Sequence, residues 1–171
     1  MVAMATAAHA RSDRFSSWPT PGPERGFTLI ELMTVLTIVA VFAMLAGPAF
    51  SELAASQRVQ TAAEDIFSSL LRTRSEAIKQ NTDVSMTAPG SPAAWTSGWT
   101  VATGGSNVYV HAALPNLAIA GPSGAVTYRS SGRISGTNVP KFSISASHTN
   151  TVRCVQVNLS GEPVVTRSAC S

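Results

Sequence analysis

From Phe27 to Phe50 every position is apolar except Thr28, Glu31, Thr34, Thr37 and Gly47. Twenty-four helical residues at a rise of ~1.5 Å span about 36 Å, enough to cross a hydrocarbon core of ~30 Å with some tilt. Pro48, next to Gly47, has no N–H to offer the carbonyl of Met44, so the pattern predicts a kink there. Past Phe50 the periodicity changes without a break. Leu53, Val59, Ala62, Ala63, Ile66, Phe67, Leu70, Leu71, Ala77 and Ile78 recur at three- and four-residue steps, with Arg58, Glu64, Asp65, Arg72, Arg74, Glu76 and Lys79 between them. This predicts an amphipathic helix over 51–80, its apolar stripe packed on a sheet. Arg72 and Glu76, one turn apart, form a candidate ion pair. The cations Arg72, Arg74 and Lys79 read as a solvated face, and Asn81 as the residue that caps the helix in left-handed geometry.

After Asn81 the period shortens to two. Val84–Thr87, Trp99–Ala102, Val108–His111, Val126–Arg129 and Phe142–Ala146 alternate as strands. Gly104-Gly105 between the second and third is a hairpin turn, and Ser131-Gly132 another turn. Val155, Val157 and Leu159 share one face of a further strand ending at Ser160-Gly161, with Cys154 on the other face, and Val164–Thr166 returns as the last. The fold class is α+β: one long N-terminal helix on a C-terminal antiparallel β domain over residues 81–171.

Residues 1–26 have no apolar period, and Trp18-Pro19-Thr20-Pro21-Gly22-Pro23 cannot be regular helix. They read as a leader ahead of the apolar segment, outside the fold. Arg11, Arg14 and Arg25 against Asp13 and Glu24 make this end basic, which predicts a cytoplasmic N-terminus and a C-terminal domain on the far side of the membrane. Charged residues are only 12% of the chain, low for a soluble protein, and the apolar segment explains part of the deficit.

Three features carry candidate chemistry. Glu31 is an acid inside the apolar run. At mid-bilayer it costs roughly 2.5–3.5 kcal/mol, and less near an end. It is either a contact with a specific partner or a carboxylate snorkelling to the headgroups. Cys154 and Cys170, both near the C-terminus and beyond the anchor, suggest a disulfide in an oxidising compartment; free thiols are the alternative. Arg129, Arg133, Lys141, Arg153 and Arg167 give a mild positive excess against Asp83 and Glu162 after residue 81. His9, His111 and His148 are isolated, no Cys/His group has zinc spacing, and no nucleophile-elbow or phosphate-loop pattern occurs. The sequence therefore predicts no cofactor, no metal and no catalysis.

The stretch Arg25-Gly26-Phe27-Thr28-Leu29-Ile30-Glu31 resembles the processing site of type IV pilins and type II secretion pseudopilins. Gln57-Arg58-Val59, Arg74 to Lys79, Trp95 with Gly98-Trp99, and Cys154…Gly161…Cys170 narrow the resemblance to the GspH/FimT-type minor pilins and pseudopilins. It implies cleavage by prepilin peptidase after Gly26, N-methylation of Phe27, and pairing of Glu31 with the N-terminal amine of a neighbouring subunit. Pro48 is then a point where the helix loosens as a subunit leaves the bilayer, and the helix packs on two antiparallel sheets forming a β-sandwich. The implied partners are other minor pilins or pseudopilins and the inner-membrane assembly platform. Secretion pseudopilus and type IV pilus both fit. The alternative function is DNA binding during uptake, through the five cations above. Against it, Gly161-Glu162-Pro163-Val164 stands where DNA-binding relatives carry a Gly-Arg-x-Arg segment.

Overall fold

The computed structural model describes residues 26–170, and for 45–49 only the helical backbone. The leader read over 1–26, apart from Gly26, lies outside the described residues. Helix α1 spans Leu29–Gln80. The chain divides into two compact units, Met1–Val41 and Phe42–Ser171. Within the second, α1 buries Ala55, Val59, Ala62, Ala63, Ile66, Ser69, Leu70, Thr73 and Ala77, a stripe at steps of one, three and four.

That stripe differs from the expected one at both edges. Leu53, Leu71 and Ile78 are exposed, whereas Ser69 and Thr73 are buried. The two hydroxyls can go inside because both are bonded: Thr73 Oγ1 donates to Ser69 O at 2.7 Å, and Ser69 Oγ accepts from Trp99 Nε1 at 2.9 Å. Arg72 does not pair with Glu76. It lies over the Tyr109 ring at 4.7 Å, and Glu76 takes Gln80 at 2.8 Å and Lys79 at 3.7 Å. Arg74 is half-buried rather than solvated. The helix ends as expected. Asn81 has φ 51°, and Asn81 N and Thr82 N donate to Ile78 O and Ala77 O, the two bonds of a Schellman cap.

Eight strands follow: β1 Val84–Thr87, β2 Trp99–Thr103, β3 Ser106–His111, β4 Ala118–Ala120, β5 Val126–Tyr128, β6 Lys141–Ser145, β7 Arg153–Val157 and β8 Pro163–Thr166. They form two four-stranded sheets with orders β3-β2-β1-β5 and β4-β6-β7-β8, and every pairing is antiparallel. Gly104 and Gly105, both at positive φ, turn β2 into β3. Strand β7 stops at Val157, so Leu159 lies beyond it and is exposed, not on the buried face with Val155. One core cluster joins the α1 stripe to the inner faces of both sheets, with Trp95, Trp99, Tyr128 and Phe142 its largest side chains. Trp95 Nε1 is satisfied by Pro122 O at 2.8 Å. The Tyr128 hydroxyl is buried without a partner among the described residues, and burial pushes its pKa well up. The cysteines form a disulfide, Cys154 to Cys170, with Cα atoms 5.1 Å apart. It ties the C-terminus to the side of β7 opposite Val155 and Val157.

Candidate assembly site at the helix N-terminus

Thr28 starts the helix. Its side-chain oxygen accepts from Glu31 N at 3.3 Å, and its carbonyl accepts the first full helical bond from Leu32 N at 3.1 Å. Thr28 is thus the N-cap and Glu31 the third helical residue. Thr-x-x-Glu before an apolar run is the capping-box pattern. The signal was present in the sequence but lay hidden behind the processing motif. It also places the one acid of the apolar run at the positive end of the helix dipole.

Residues 27–44 are all exposed, with Phe27 at 84% and Met44 at 78%. A helix that is apolar all round is stable only when lipid or protein covers it. The polar atoms of this segment are already satisfied internally: Thr34 and Thr37 donate to Ile30 O and Met33 O, each at 2.8 Å. Such back-bonding removes the cost of taking a hydroxyl out of water. Glu31 is the exception, since its carboxylate has no ion-pair partner among the described residues. Gly26 is exposed, and among the described residues nothing lies within 4 Å of where a Cβ would stand. Among the described residues, no helix is long and apolar enough to cross a membrane. The described apolar part, Leu29 to Met44, reaches about 24 Å at ~1.5 Å per residue. The rest of the 27–50 run includes residues 45–49, whose side chains are outside the description. The helical backbone continues through Pro48.

The cations proposed for DNA do not form one surface. Lys141 opposes Gln156 and Arg153 opposes Ile144 across β6 and β7, which places Lys141 and Arg153 on opposite faces of that sheet. Arg153 turns back to Val152 O at 3.1 Å. Arg129 and Arg133 bracket the Gly132 turn, joined by a backbone bond of 2.9 Å, and Arg167 follows β8. Glu162 in the β7–β8 turn donates its N–H to Asn158 Oδ1 at 2.9 Å. The DNA-uptake alternative finds no support. No cluster of His, Cys, Asp or Glu able to hold a metal occurs among the described residues.

Residues 62–161 match the family model for the type II transport protein GspH, and residues 22–47 match the prokaryotic N-terminal methylation motif. No curated protein matches the chain. Among solved structures the fold is similar to the type IV minor pilin FimU of Pseudomonas aeruginosa strain PAO1 in two crystal forms. These have TM-scores of 0.57 and identities of 21% and 22%, and the match covers 67% and 66% of this chain and 94% and 97% of theirs. The shared feature is a long N-terminal helix packed on antiparallel sheets, and at this identity the likeness speaks for the fold. The family model spans more than half of the sequence and the methylation motif sits on the helix start, so the chain belongs to the GspH family of minor pilins and pseudopilins.

Proposed function

We propose that this chain is a non-enzymatic subunit held in the inner membrane by residues 27–50 and then incorporated into a pilus or pseudopilus, at or near its tip. The observation that carries the proposal is the exposed apolar segment 27–44 with its one unpaired acid, inside the methylation motif. Prepilin peptidase cuts after Gly26 and the new amine of Phe27 is methylated. In the filament, Glu31 of one subunit neutralises the Phe27 amine of a neighbour. A charge pair in apolar surroundings is favourable only when both members are placed together, so the pair sets the axial register. The N-terminus lies in the cytoplasm and the β domain in the periplasm, where Cys154 and Cys170 oxidise. Bending of α1 at Pro48 lets 51–80 keep its sheet contacts while 27–47 changes surroundings from lipid to protein. Other minor subunits and the inner-membrane platform are the partners.

The test is recovery of the chain in filaments sheared from cells that express the full assembly system. Detection of the processed chain in that fraction supports the proposal. Retention of all of it in the membrane fraction while filaments form normally from the other subunits counts against it.

A further inference from the structure

We infer that His111 is a proton-operated clasp between helix α1 and edge strand β3. Three contacts of the imidazole decide what its protons can do. Nδ1 lies 2.8 Å from Ala112 O, an acceptor, so this nitrogen must carry a proton. Nε2 lies 3.4 Å from Asp65 Oδ2 on α1, again an acceptor. The ring stacks on Trp99, with centroids 4.1 Å apart and planes 9° apart, and the face of an indole attracts a cation. A neutral imidazole has one N–H. Whichever nitrogen keeps it, the other presents a lone pair to an oxygen. Only the imidazolium satisfies Ala112 and Asp65 together.

From α1, Asp65 faces the ring, and Arg72 is engaged over Tyr109. From β2 the neighbour is Trp99, and from β3 the uncharged Tyr109, whose ring lies edge-on at 6.3 Å. Residues 112–117 after β3 carry no charge. The backbone is fixed as well: Gly98, at φ 91°, packs so closely that a Cβ there would run into the His111 carbonyl. The ring therefore cannot follow a change of protonation by moving its strand. The His111 side chain is 14% exposed and that of Asp65 34%, so the proton exchanges with solvent. Acid tightens the seam between α1 and β3. Once the ring gives up its second proton, the contact with Asp65 is lost.

The experiment is urea unfolding of the full chain in detergent micelles between pH 5 and 8.5, comparing wild type, Asp65→Asn, His111→Gln and the double variant. The Asp65→Asn change keeps the shape and replaces the carboxylate by an amide that pairs with a neutral ring. The expected result is that Asp65→Asn raises the unfolding equilibrium constant about two- to fivefold more at pH 5 than at pH 8.5, the range for a partly exposed ion pair. In the His111→Gln background that pH dependence disappears. A ratio between wild type and Asp65→Asn that is flat across the range overturns the inference. So does a pH-dependent ratio that survives in His111→Gln, which would assign the titration to another group.

Discussion

Gly161 is where the turn between β7 and β8 meets the turn after β5, and replacing it tests how the two sheets are joined. Its φ is 86°, and a Cβ at this position would overlap the carbonyl oxygen of Gly132 and lie 3.1 Å from Tyr128 Cε1. The obstacle is backbone on one side and a fully buried ring on the other, so neither can swing aside. Gly161→Ala thus carries two costs. A left-handed backbone costs a non-glycine residue about 1–2 kcal/mol, and forcing extra volume into a packed site adds about 1–3 kcal/mol. The sum, about 2–5 kcal/mol, is a large share of a typical folding stability of ~5–15 kcal/mol. Gly104→Ala is the control. Gly104 also has positive φ, 51°, but among the described residues nothing lies within 4 Å of its would-be Cβ, so it bears the backbone cost alone. Denaturant unfolding of both variants in the full chain, in detergent, separates the two costs. We expect Gly161→Ala to be worse than Gly104→Ala by about 1–3 kcal/mol. Equal destabilisation of the two refutes the contact between the turns.

Other consequences are as direct. Glu31→Ala should leave cleavage after Gly26 largely intact and block incorporation, read as loss of the processed chain from sheared filaments; normal incorporation sinks the register argument. Cys170→Ser opens a loop with a sequence separation of 16 residues and should cost ~3 kcal/mol of stability in the chain-entropy model. Intact mass without reductant should show wild type two hydrogens lighter than the reduced chain. Tyr128, with its pKa raised by burial, keeps its proton in the folded state at pH values where the unfolded chain loses it, above ~10. The folded state then binds more protons, so stability falls as pH rises past that point, by up to ~1.4 kcal/mol per pH unit. Tyr128→Phe should abolish that alkaline loss in thermal melts, and should cost little at neutral pH because its hydroxyl has no partner among the described residues.

The elements that local chemistry dictates were legible in the sequence. Asn81 ends the helix because it tolerates the left-handed position, and Gly104-Gly105 dictates a tight hairpin. Strand β4 was not legible. Ala118-Ile119-Ala120 has one β-branched residue, and its strand geometry comes from pairing with Ser143–Ser145, far away in the sequence. The edges of the buried helix stripe were also set by tertiary partners. Ser69 is inside because the Trp99 indole meets it, and Leu71 is outside although its apolar spacing fits the stripe. At the N-terminus, Glu31 stood out because an acid in an apolar helix needs a reason, and Gly26 and Phe27 because they resemble a processing site. The Thr28 cap that orders the first turn followed the capping-box rule, and the processing motif overshadowed it. That segment 27–44 needs lipid or protein around it could be read from composition alone, since a run this apolar on every side has no polar face to turn to water.

The most direct test of the central claim is the N-terminal mass of the chain co-expressed with an active prepilin peptidase. The account predicts one species, residues 27–171 carrying a single methyl group on Phe27. Gly26→Ala should stay uncut, and since no atom of the described residues lies within 4 Å of the added Cβ, that failure reports recognition by the peptidase and not damage to the described fold. A leader retained on the wild type, or removed normally from Gly26→Ala, contradicts the account.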